Sequence, residues 1–74
     1  MKDYSKLLGR IIELYGTRDA FGKAINWNKS RISSRLNNQT PFTQDDIDLW
    51  CKFLKIQSTE IGVFFYTKSS QIVN

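Results

Sequence analysis

The sequence predicts an all-α fold: one compact bundle of about five short helices organised around a central helix-turn-helix. Three observations lead there. Apolar residues recur three and four apart in successive stretches, as in Leu7-Leu8-Ile11-Tyr15, Phe21-Ala24-Ile25, Ile32-Leu36 and Ile47-Trp50-Cys51-Leu54. Each stretch follows a residue able to cap a helix, in turn Asp3, Thr17, Asn28 and Thr43. Between the second and third lies only Asn26-Trp27-Asn28, a connection so short that the two helices must cross steeply.

The first helix is expected over residues 3–15, capped by Asp3 and closed by Gly16 as the residue beyond its end. It reads as scaffold lying across the hairpin, with Lys6 and Arg10 as solvated surface. The second, residues 18–25, starts at Thr17, whose hydroxyl can accept a free backbone N–H, and ends at Asn26, the usual substitute for glycine in left-handed backbone. Trp27 should fold back on the helix it has just left. Gly22, midway along, would let the next helix approach its backbone. Asn28 caps that helix, with Ile32 and Leu36 facing inward.

Pro41 disfavours helix at Thr40, so Asn38–Phe42 reads as a loop. Thr43 opens a long helix with Asp45 and Asp46 in its first turn and Lys52 and Lys55 near its end, an order suited to the helix dipole. Thr43 and Asp46 approximate a capping box, and Phe42 and Ile47 a hydrophobic staple. The segment Ile61–Tyr66 fits either one helical turn or a short strand. The domain is expected to span residues 1–66, leaving 67–74 as a flexible or partner-dependent tail.

With 74 residues the chain holds one domain, of a size that buries only about 60% of its unfolded surface and gains from oligomerisation. Its net charge of +4 is concentrated: Arg18, Lys23, Lys29, Arg31 and Arg35 against Asp19 give residues 17–42 a net +4, while the flanks cancel. A positive excess confined to a helical hairpin is the footprint of a nucleic-acid binder, the plainer alternative being a solvated basic face. A single cysteine and no histidine exclude an intrachain disulfide or a Cys/His zinc site. Cys51 falls in an apolar stripe with no base to activate it. Without a phosphate-cradling glycine loop or a convincing carboxylate pair, the reading is not of an enzyme, and no cofactor or small-molecule substrate is expected. The longest apolar run near the end, Val63–Tyr66, cannot span a membrane, and the charged start lacks a signal-peptide core, so the cytoplasm is the expected compartment.

Gly22, Asn26, Asn28 and Ile32-Ser33, in register, resemble the helix-turn-helix domains of the lambda-repressor and Cro class. Two departures are Asn26 where glycine is usual and Arg35 where a core aliphatic is often found. The order Asp3-Tyr4-Ser5-Lys6-Leu7, then Arg35-Leu36-Asn37 with Thr40-Pro41-Phe42, then Glu60-Ile61-Gly62 with Phe64-Phe65, is similar to small Cro-like regulators of temperate phages of Gram-positive bacteria. The likeness covers residues 3–66. It implies an operator-binding domain, commonly dimeric, in a lysis–lysogeny switch inside a bacterial host. Some small proteins of such switches instead bind the partner repressor, of the CI type, and act as antirepressors.

On the DNA-binding reading, residues 29–37 enter the major groove of double-stranded operator DNA by the helix N-terminus. The expected base contacts are Asn28, Lys29, Ser30, Ser33, Ser34 and Asn37, with Lys29 and Asn28 carrying most of the discrimination. The expected phosphate contacts are Thr17, Arg18, Arg31, Arg35, Asn38 and Thr40. The consecutive aromatics Phe64, Phe65 and Tyr66 are expected at a homodimer or partner interface, because no single element buries all three. An exposed Trp27 would favour the antirepressor reading.

Overall fold

A computed structural model describes residues 2–68. Five α-helices follow in order: α1 (Ser5–Tyr15), α2 (Arg18–Ile25), α3 (Lys29–Leu36), α4 (Gln44–Leu54) and, after a short 3-10 turn at Ser58–Glu60, α5 (Ile61–Phe65). Among the described residues the only extended pairing is an isolated antiparallel bridge between Lys2 and Lys68. The all-α bundle expected from the periodicity is the fold found. No helix among the described residues is long and apolar enough to cross a membrane.

The helices begin and end where local chemistry dictates. Thr17 Oγ1 accepts from the Ala20 N–H at 3.0 Å, and Asn28 Oδ1 from the Arg31 N–H at 2.8 Å. The Thr43–Asp46 capping box is complete in both directions. Asp3 caps α1 from one residue further out than expected, its Oδ1 accepting from the Ser5 N–H at 2.9 Å while Tyr4 occupies the boundary position. Asn26, Asn38 and Lys55 all adopt left-handed backbone beyond the ends of α2, α3 and α4. At Asn26 and Asn38 the next residue's N–H returns to the carbonyl five positions back: Trp27 to Gly22 at 2.8 Å, and Gln39 to Ser34 at 2.9 Å. The residue itself bonds the carbonyl three back, completing a Schellman closure that satisfies the last carbonyls of each helix.

The core is built on Trp50 of α4, which is fully buried. Phe21, Trp27 and Phe42 meet its ring edge-on, at centroid distances of 4.9, 5.6 and 4.9 Å. Phe42 in turn touches Tyr4 and Phe65 at 5.2 and 5.1 Å, so the loop residue joins α1, α4 and α5. Such edge-to-face pairs add about 0.5–1.5 kcal/mol each beyond the area they bury. Leu7, Ile11, Ile32 and Leu54 complete the fully buried set. The last carbonyls of α4 are served from α1: Arg10 Nη1 donates to Leu54 O at 3.0 Å and Tyr15 OH to Phe53 O at 2.8 Å.

Three expectations need correction here. Arg10 is not solvated surface: its guanidinium packs over the Phe64 ring and donates to the end of α4. Phe64 and Phe65 are buried, at 9% and 1% exposure, and are not available for an interface; only Tyr66 of the three is on the surface. The reason is that residues 61–65 take the helical option, so α5 turns Phe64 and Phe65 together onto the core beside α1 while Tyr66 falls past its end. The ordered body also runs past residue 66. The Asp3 N–H donates to Thr67 O at 2.7 Å and Lys68 pairs with Lys2, so Thr67 and Lys68 belong to the domain. Residues 69–74 of the expected tail lie outside the described residues.

Candidate nucleic-acid interface

Helices α2 and α3 form the hairpin, and its geometry turns on Gly22. A Cβ built there would lie 2.8 Å from the Trp27 carbonyl oxygen and 3.6 Å from Ile32 Cγ1. The close approach is thus made chiefly by the turn and only secondarily by the second helix. With Gly22 empty of side chain, the chain reverses tightly enough to bury Trp27 and to seat Ile32 of α3 on the core. Trp27 is 9% exposed, so the turn offers no free indole to a protein partner.

The outer side of α3 carries Lys29, Ser30 and Asn37, all exposed, with Ser33 half-buried at its edge. Asn28 stands at the N-terminal mouth. Its Oδ1 is committed to the cap, which leaves the amide Nδ2 with no hydrogen-bond partner among the described residues. Lys29 and Ser33 share an open cleft of about 270 Å³ with Arg18, Asp19, Lys23 and Asn28, floored by Gly22, Trp27 and Ile32. The starts of both helices therefore open on the same hollow. Thr17 and Arg18 are exposed at the beginning of α2.

Arg31 is exposed on the flank, and its guanidinium lies 3.9 Å from the Trp27 ring centroid. Stacking of this kind covers the face of the guanidinium and leaves the in-plane N–H edges free for an anion.

Three expected contacts are otherwise engaged. Arg35 shares the Arg31 flank, as the four-residue spacing requires, but its Nε donates to Asp46 Oδ2 at 3.0 Å, with side-chain exposures of 12% for Arg35 and 8% for Asp46. It is a core-edge ion pair between α3 and α4 and leaves the phosphate set. Asp46 is well suited to hold it. Burial alone would raise the Asp46 pKa, but the Thr43 backbone N–H and the Arg35 guanidinium together outweigh burial and hold it below the ordinary carboxylate value. Asn38 directs its side chain at the backbone of Lys2, donating to the carbonyl at 2.9 Å and accepting from the N–H at 3.4 Å. Ser34 donates its hydroxyl to Thr40 Oγ1 at 3.2 Å, which fastens the loop to α3 and removes Ser34 from the base-reading set, although Thr40 itself remains exposed.

Cys51 is half-buried; burial first, and the Asp48 charge second, push its thiol pKa up and away from thiolate chemistry. Among the described residues no group of three or more His, Cys, Asp or Glu side chains could hold a metal ion.

Comparison with curated proteins finds no match to this chain. A family model does match, over residues 1–68. The chain belongs to the family described as "Protein of unknown function (DUF739)".

Proposed function

We propose that this protein is a sequence-specific DNA-binding regulator, a Cro-like repressor that places α3 in the major groove and acts as a homodimer on operator DNA. The observation that carries the reading is the α2–α3 hairpin itself. Gly22 is closely approached by the turn and Asn26 takes left-handed backbone, and the surface of α3 and its cap turned away from the core bears Lys29, Ser30, Arg31, Ser33 and Asn37, with no acidic residue on that helix.

Asn28, Lys29, Ser30, Ser33 and Asn37 then read base edges, and Thr17, Arg18, Arg31 and Thr40 meet phosphates. Of the contacts through which the alternative antirepressor reading would run, Trp27, Phe64 and Phe65 are buried, while Tyr66 of the same segment is exposed.

The test compares two variants. Lys29→Ala should weaken binding and relax the base preference, by about 1–3 kcal/mol at the contacted pair. Arg18→Ala should weaken binding to every duplex alike and reduce the salt slope by about 0.9. Folded variants that bind DNA as the parent does would refute the proposed face.

A further inference from the structure

The side chains of Lys2 and Lys68 have no part in the contacts above, yet the fold brings these residues together from opposite ends of the described residues. Their backbones form the antiparallel bridge, locked by the bond from the Asp3 N–H to Thr67 O. The Lys2 ammonium lies 4.6 Å from the Tyr66 ring centroid. From the other side the Asn38 amide grips the Lys2 backbone through both of its polar atoms. A residue so near the end of a chain is ordinarily frayed. Here it is held from three directions, and what the holding achieves is placement.

Lys2 lines two clefts that flank the C-terminal end of α3. One, of about 400 Å³, it shares with Ser5, Arg18 and Asn37; the other, of about 340 Å³, with Asn38, Thr40 and Lys68. Asp3 is the one acid on either lining, outnumbered by Lys2, Arg18 and Lys68, and its Oδ1 accepts from the Ser5 N–H. The positive rim of the hairpin therefore continues, through Arg18 and Lys2, to Lys68.

We propose that Lys2 and Lys68 form a second phosphate-binding edge beside the end of α3, taking the phosphodiester backbone of duplex DNA, with Asn38 as the positioning residue that holds it in place. The inference rests on the DNA-binding reading above. A helix that enters the major groove by its N-terminus leaves its C-terminal end at the groove mouth, beside the phosphates that bound it. Ammonium groups suit such a place as point-charge phosphate ligands. Prior fixation of the Lys2 backbone and ammonium, and of the Lys68 backbone, lowers the ordering cost on binding. It also accounts for Asn38, whose amide holds the phosphate ligand instead of acting as one.

The experiment measures duplex affinity against salt for the whole chain and for three variants. Lys2→Gln with Lys68→Gln should reduce the steepness of log K against log salt by about 1.8, or 0.9 per phosphate, leaving the preferred sequence unchanged. Asn38→Gly, which keeps the left-handed backbone and deletes the amide, should lower it by less. Lys52→Gln with Lys55→Asn, which removes the same charge from α4 outside both clefts, should leave the slope near the parent value. An unchanged slope in the Lys2/Lys68 variant, or an equal fall in the α4 control, overturns the inference while leaving the proposed function standing. A parent protein that binds no duplex at all overturns both.

Discussion

Arg35→Ala separates structural from DNA-contacting arginines on this helix. The substitution removes the charged partner of Asp46, whose side chain is 8% exposed, and uncovers one side of the Trp27 ring, to which Arg35 lies at 5.1 Å. Deleting one member of a buried pair costs about 3–5 kcal/mol when the survivor is left bare. Asp46 is not left bare: its Oδ2 still accepts from the Thr43 N–H at 3.0 Å, and the cap hydrogen bond from its own N–H to Thr43 remains. The expected loss is therefore smaller, about 2–3 kcal/mol, or roughly 8–24 °C in Tm for a domain of this size.

Urea unfolding followed by circular dichroism reads it directly. A cycle with Asp46→Ala should show a coupling of about 1–2 kcal/mol. A variant within about 0.5 kcal/mol of the parent, with zero coupling, would mean the pair is a surface contact and the burial argument is wrong. A fall in DNA salt slope without loss of stability would restore Arg35 to the phosphate set.

The same pair makes stability depend on pH. Because the folded state holds the Asp46 pKa below its unfolded value, its contribution is complete above about pH 4 and is lost as pH falls through the depressed folded value. Acid titration of stability should be shallower below about pH 4 in Asp46→Asn than in the parent. Gly22→Ala gains about 1 kcal/mol of helix propensity but drives a methyl against the Trp27 carbonyl, 2.8 Å away, at a cost of about 1–3 kcal/mol; thermal melting should show net destabilisation near 1 kcal/mol. Asn26→Ala should cost about 1–2 kcal/mol because alanine is strained at a φ of 62°, whereas Asn26→Gly should cost nothing measurable.

What could be read from the sequence was what is local. Thr17, Asn28 and Thr43 cap their helices because a cap needs only a side-chain oxygen and an N–H two or three residues on. Asn26 declared its left-handed conformation by residue type and by the end of the apolar stripe before it. Most of the misreadings involve partners distant in sequence; Ser34, whose partner Thr40 is six positions on, is an exception. Arg31 and Arg35 are alike at four-residue spacing, and only the placement of α4 shows that Arg35 has an acid to meet, eleven positions on. Asp46 offered one signal: an acid already fixed in a capping box is a rigid, preformed acceptor. Asn38 and Lys2 are 36 positions apart and no periodicity connects them. Phe64 and Phe65 were ambiguous because a short aromatic run satisfies helix and strand patterns equally. In the fold the helical turn brings both rings into the core, with Phe65 edge-on to Phe42.

Whether this chain reads DNA sequence as a dimer is decided by enrichment from random duplexes at roughly physiological ionic strength, where nonspecific phosphate binding is weak. A dimeric operator-binding protein recovers a palindrome with half-sites about one helical turn apart. Binding without enrichment, or no binding, refutes the proposed function.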